Sequence, residues 1–132
     1  MGKKRKSPEA DISREFVKQL KQLEALNQTN IITWTHIDNG QVAGKDAKSR
    51  AIAGGIAKSM GTRKGWPDYQ FIMRDADFHL VVIFIEMKAP KGRLGAEQKE
   101  FMDLCGENDV PYYVCRSARE ALYVLERHGA IK

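Results

Sequence analysis

A sequence of 132 residues fits one domain, long enough to bury a core without disulfides. Its composition, 42% apolar and 30% charged, is that of a soluble globular domain, and its longest apolar run, residues 80–85, is too short for a membrane span and suits a buried strand. The net charge of +5 permits a polyanionic partner without requiring one.

Residues 1–6, with Lys3-Lys4-Arg5-Lys6, read as a solvated, disordered basic tail ahead of a single domain over 7–132. Ser7, Pro8 and Glu9 follow it where a secretory signal needs an apolar stretch. Ser7-Pro8 instead starts a helix, Ser at the N-cap and Pro at the first turn. Ile12, Phe16, Leu20 and Leu23 then recur at helical spacing up to about Leu26. Asn27 to Asn30 breaks that pattern. Ile31 to Ile37, β-branched and aromatic, predicts a strand ended by the Asp38-Asn39-Gly40 turn.

The stretch 41–65 is basic: Lys45, Lys48, Arg50, Lys58, Arg63 and Lys64 share it with one acid, Asp46. Ala47 to Met60 favours a helix that Gly54-Gly55 weakens, so a partly helical, mobile segment is expected, with its cations on nucleic-acid phosphates. Gly65-Trp66-Pro67 is a turn, in which Trp66 fills a core edge or packs on a base. Tyr69 to Met73 and His79 to Met87 are strands of a hairpin; the second, apolar without alternation, belongs at the centre of a sheet covered on both faces. Ala89 to Gly92 is a loop. Ala96 to Glu107 is a helix with Phe101, Leu104 and Cys105 inward, Val110 to Cys115 a strand, and Ala118 to His128 a last helix. A Ser117/Glu120 capping box opens that helix and Gly129 closes it. The order is α-β-(basic segment)-β-β-α-β-α.

Two isolated cysteines, Cys105 and Cys115, make neither a disulfide framework nor a zinc cluster; they read as reduced core residues of a cytoplasmic protein. His36, His79 and His128 lack metal-ligand spacing. Gly40 to Lys45 is one residue short of a phosphate-binding loop, and Asp46 replaces the Ser or Thr it needs, so no nucleotide cofactor is expected.

The chemistry concentrates in Pro67-Asp68 and Glu86-x-Lys88. Residues two apart on a strand point to one face, so Glu86 and Lys88 project together from the end of the central strand. Asp68, at the start of the preceding strand, converges on them if the two strands pair. Two such carboxylates repel unless a cation lies between them. Mg²⁺, or Mn²⁺ in its place, suits the pair, with the Met87 carbonyl as a further ligand. Lys88 is then placed to orient the attacking water or to offset charge on the phosphorane.

Gly65-Trp66-Pro67-Asp68, followed by Phe84-Ile85-Glu86-Met87-Lys88-Ala89-Pro90-Lys91-Gly92-Arg93-Leu94 and Gln98, resembles the PD-(D/E)XK nuclease superfamily. Within it the pattern is similar to the VRR-NUC domain in its stand-alone phage or bacterial form, over roughly Ser13 to Leu125. The resemblance implies an α/β fold with a restriction-endonuclease-like core, a central mixed β-sheet flanked by helices. It implies Asp68 and Glu86 as metal ligands, Lys88 as the catalytic lysine, Gln98 beside the site on the following helix, and Glu15 of the first helix near the metal. The implied function is a Mg²⁺- or Mn²⁺-dependent, structure-selective DNA endonuclease. Its implied substrate is branched DNA such as four-way (Holliday) junctions, cut by a homodimer for which Val17 is a candidate interface residue. The alternatives are a nucleic-acid-binding module on a nuclease fold and a monomeric flap or duplex nickase. No helix-turn-helix or other base-reading module is found.

Overall fold

Helix α1 (Pro8–Ala25) begins where Ser7 Oγ accepts from the Ala10 amide at 3.4 Å and Pro8 occupies the first turn. Its buried face is set by Phe16 and Leu20, four residues apart. The other elements in chain order are β1 (Ile31–His36), α2 (Ala47–Ser59), β2 (Tyr69–Arg74), β3 (Leu80–Met87), α3 (Ala96–Glu107), β4 (Tyr112–Cys115) and α4 (Ala118–Arg127). This is a computed structural model that describes residues 7–37 and 46–132. The basic tail, the 38–40 turn and Lys45 lie outside the described residues. Among the described helices none is long and apolar enough to cross a membrane.

The described strands form one mixed sheet in the order β1-β2-β3-β4, antiparallel across the first three and parallel between β3 and β4, with α3 as the crossover. Side-chain alternation divides the core. Tyr69, Phe71, Met73, Ile83, Ile85 and Met87 join Phe16, Leu20, Ala121 and Leu125, from α1 and α4, in one cluster. Phe84 points the other way, onto Phe101 of α3 (ring centroids 5.3 Å apart) and Trp66 (6.1 Å). The last five residues of β3 are all buried, as its unbroken apolar run implies. The fold is a four-stranded mixed sheet flanked by helices, consistent with a restriction-endonuclease-like core.

Three details depart from the sequence reading. The basic segment is a complete helix over Ala47–Ser59 despite Gly54-Gly55, which cost about 1 kcal/mol each relative to Ala. Asp46 supplies the missing start signal: its Oδ1 accepts from the Ser49 amide at 2.7 Å. Leu104 is 51% exposed, because it lies about 100° around α3 from inward-facing Cys105. The Ser117/Glu120 box is half made. Ser117 Oγ accepts from the Glu120 amide at 3.0 Å, whereas the Glu120 carboxylate accepts from the Arg116 amide, one residue further out.

Phe16 ties α1 to the sheet. Its ring meets Tyr69 and Phe71 edge-on, at 5.5 and 5.9 Å, and is fully buried. Truncating such a side chain costs about 3–5 kcal/mol. The contact fixes the first turns of α1 beside the start of β2, where the sequence placed its acids.

Candidate active site

The antiparallel register pairs Tyr69 with Ile85. Asp68, one residue earlier, therefore falls opposite Glu86 at the end of the ladder. Asp68 is tied to both neighbouring strands: its Oδ2 accepts from the Met87 amide of β3 at 2.7 Å, and its carbonyl accepts from the Ile37 amide just past β1. Gly65 makes the preceding turn possible. Its φ is +85°, and a Cβ there would lie 2.5 Å from the backbone of Glu97, so only glycine lets the turn approach the start of α3 this closely.

That approach brings Gln98 to the site. Its Oε1 accepts from the Gly95 amide at 2.8 Å and its Nε2 donates to Glu86 Oε1 at 3.0 Å, so the amide is held at both ends. Lys88 Nζ lies 3.8 Å from the same Glu86 oxygen, with its side chain 11% exposed. The Lys88 amide donates to the Cys115 carbonyl, tying the end of β3 to β4. Past Lys88, the Arg116 guanidinium donates to the carbonyls of Ala89 and Gly92, each at 2.7 Å, and holds the loop that follows. Met87, whose carbonyl the sequence reading offers as a ligand, sits between Glu86 and Lys88 with its side chain in the core.

Glu86 is the anomaly. It is 2% exposed, and while Oε1 has partners, Oε2 is buried with none. Burial, then the neighbouring charge of Asp68, pushes its carboxyl up to about 8, with Lys88 opposing the rise. A third carboxylate completes the group: ligand oxygens of Glu9, Asp68 and Glu86 lie within 4.8 Å of one another. An orphaned buried oxygen among three hard oxygen donors fits a divalent cation of the Mg²⁺ or Mn²⁺ class.

The structure thus brings together Asp68, Glu86, Lys88 and Gln98, and the acid of α1 grouped with them is Glu9, not Glu15. Glu15 is exposed and accepts from Gln19 Nε2 at 2.8 Å. The signal for Glu9 is present in the sequence: it lies seven residues before Phe16 and eleven before Leu20, on the buried stripe of α1. Glu15 lies about 100° off that stripe. Trp66 packs on Phe101, with ring centroids 4.7 Å apart, at the core edge.

The basic residues separate. Lys48, Arg50 and Lys58 are exposed on α2, and Arg63 and Lys64 line a groove with Trp66, Glu97 and Glu100. None of these lines the cleft that contains Glu9 and Asp68. Val17 lies in that cleft beside Arg14, Lys18 and Lys21, where a two-fold axis would oppose like charges. In comparisons with known proteins, residues 4–119 match the VRR-NUC domain. Neither a curated protein nor a solved structure matches the chain.

Proposed function

The chain belongs to the VRR-NUC family, and from that premise we propose that it is a divalent-metal-dependent endonuclease of branched DNA. Glu9, Asp68 and Glu86 would hold Mg²⁺ or Mn²⁺ in this reading. The family is one of nuclease domains, so DNA is the substrate at the coarse level. What carries the metal-dependent reading is the buried, unpartnered Oε2 of Glu86 within a carboxylate group.

A divalent ion there supplies Lewis-acid polarisation of the scissile phosphate and acidifies water. The protein's own part is positioning and charge. Gln98 fixes the Glu86 carboxylate through Oε1, and the unpartnered Oε2 would be available to hold an ion. The Met87 amide fixes Asp68 in the same way. Lys88, close to Glu86, balances the carboxylates and reaches toward charge that develops on the phosphoryl oxygens.

A symmetric junction presents two scissile phosphates, and a two-fold dimer places one site at each. The exposed stripe Ile52 and Ile56 on α2, continued by Met60 at its C-cap, at four-residue spacing on a helix that buries none of its residues, is the apolar surface for that dimer. The test is cleavage of labelled duplex, flap, fork and four-way junction DNA with Mg²⁺, Mn²⁺ or Ca²⁺, paired with light scattering. Junction cleavage in Mg²⁺ or Mn²⁺ by a particle of twice 14.9 kDa is the expected result. Binding without cutting in any metal replaces the enzyme by a binding module. Equal cutting of duplex by a 14.9 kDa particle replaces the dimer by a monomeric nickase.

A further inference from the structure

Beside the carboxylates runs a cleft of about 640 Å³, walled on one side by α1 and on the other by His36 and Tyr69. Glu9 and Asp68 line one part of it, and Arg14, Lys18 and Lys21 line it further along α1. These three cations stand at i, i+4 and i+7, the spacing of one helical stripe. We infer that Arg14, Lys18 and Lys21 form the track for the DNA backbone leading away from the scissile phosphate. This assignment deepens the proposed nuclease reading and rests on it.

Length supports the assignment. Arg14 to Lys21 spans about 10 Å of helix axis at 1.5 Å per residue. Three long, flexible cationic side chains over that length can meet phosphates of neighbouring nucleotides on one strand. The stripe also begins roughly 7.5 Å along the axis from Glu9, which places its phosphates next to the reacting one.

Charge supports it as well. Glu15 and Glu24, acids of α1 near the stripe, accept from Gln19 Nε2 at 2.8 Å and from Trp34 Nε1 at 3.2 Å and, among the described residues, form no ion pair with its cations. Asp11 meets Arg14 at 3.5 Å, but both side chains are at least half exposed, a pair weak enough for a phosphate to displace. The cations share a wall with Val17 and Tyr69, and the cleft's two acids, Glu9 and Asp68, lie at its other end, where a bound divalent cation would offset their charge in the proposed reading. Arg63 and Lys64 line a different groove, with Glu97 and Glu100, that contains neither Glu9 nor Asp68.

The test is binding of the full chain to a fluorescein-labelled 20-base-pair duplex in Ca²⁺ across a salt series. Wild type is compared with Arg14→Ala/Lys18→Ala/Lys21→Ala and with Lys48→Ala/Arg50→Ala/Lys58→Ala, thermal melts confirming that each is folded. Each phosphate contact contributes about 0.9 to the slope of log affinity against log salt. The α1 triple variant is expected to lose about 2.7 of that slope and at least tenfold in affinity at 100 mM salt. Arg14→Lys/Lys18→Arg/Lys21→Arg retains most of both, and the α2 triple variant changes the slope by less than one. An α1 triple variant with wild-type slope and affinity overturns the track while leaving the nuclease reading intact. A wild type with no salt-dependent binding either to the duplex or to a four-way junction probed alongside it overturns both.

Discussion

Among the described residues, two groups bring three ligand-type side chains within 4.8 Å of one another, and their chemistry is opposite. Asp75, Asp77 and His79 sit in the β2–β3 turn. There Asp75 Oδ1 accepts from the amides of Asp77 and His79, at 2.9 and 2.8 Å, and Oδ2 lies 3.3 Å from His79 Nδ1. These bonds, the His79 amide first, hold the Asp75 carboxyl below its usual range. The charge is already accommodated, by the backbone of a turn it helps to build. Glu9, Asp68 and Glu86 hold one buried oxygen with no partner, and the Glu86 carboxyl is raised by burial. Proximity of acids is common to both groups. A buried carboxyl oxygen with no partner belongs to one, and a cation there would let that carboxyl ionise.

Alanine substitution separates the two groups most decisively. Asp68→Ala, Glu86→Ala and Lys88→Ala should each abolish nearly all cleavage in a protein whose circular dichroism is unchanged. Asp75→Asn/Asp77→Asn should cut within about twofold of wild type, since the turn cluster plays no part in the chemistry. Cleavage at the wild-type rate by folded Glu86→Ala would contradict the assignment.

A smaller effect separates two acids of α1. Glu9→Gln and Gln98→Ala should each reduce cleavage by roughly 10–100-fold, the range seen when a group that ligates weakly or orients a ligand is lost. Glu15→Gln should stay within about twofold, as its carboxylate bonds only along its own helix. Single-turnover rates at saturating metal make the distinction.

Gly65→Ala tests how the turn is placed. Positive φ and the approach to Glu97 should together cost about 1–3 kcal/mol, read as a lower melting temperature. Cleavage should fall as well, because the turn sets Asp68 against Gln98.

The pH dependence sharpens the contrast most finely. The Glu86 carboxyl, raised to about 8 when folded, binds its proton more tightly than in the unfolded chain. Its contribution to metal-free stability is therefore full below the ordinary carboxylate range and lost as pH rises toward 8. Saturating Mg²⁺ should restore the melting temperature at pH 8, and Glu86→Gln should flatten the metal-free slope. Asp75 has the opposite sign: its carboxyl is lowered, so its contribution is present above the ordinary range and lost as pH falls below it, with or without Mg²⁺.

Much of this architecture is written locally. Ser7-Pro8, the Ala96–Glu107 periodicity and the unbroken β3 run each specify their element within a dozen residues. That Pro67-Asp68 and Glu86-x-Lys88 come together was legible because strand alternation puts Glu86 and Lys88 on one face and hairpin pairing brings Asp68 opposite. Gln98 was legible through the resemblance. What stayed hidden depends on docking between distant segments. Glu9 reaches the site only because Phe16 seats α1 on β2. The Arg116 clamp on the 89–92 loop joins residues 24 to 27 apart. The stripe Arg14, Lys18 and Lys21 reads as a solvated helix face until His36 and Tyr69 supply the opposite wall. In α2, helix propensity and the Asp46 cap outweighed two glycines that pointed to a partly helical, mobile segment.

The central claim is that the unpartnered Glu86 oxygen marks a cation site and the turn cluster does not. Calorimetric titration of Mn²⁺ into the metal-free protein at pH 7, in two buffers of different ionisation enthalpy, measures it directly. The account predicts a binding event that releases protons, disappears in Glu86→Gln and persists in Asp75→Asn/Asp77→Asn. Binding that survives Glu86→Gln and vanishes in the turn variant would contradict it.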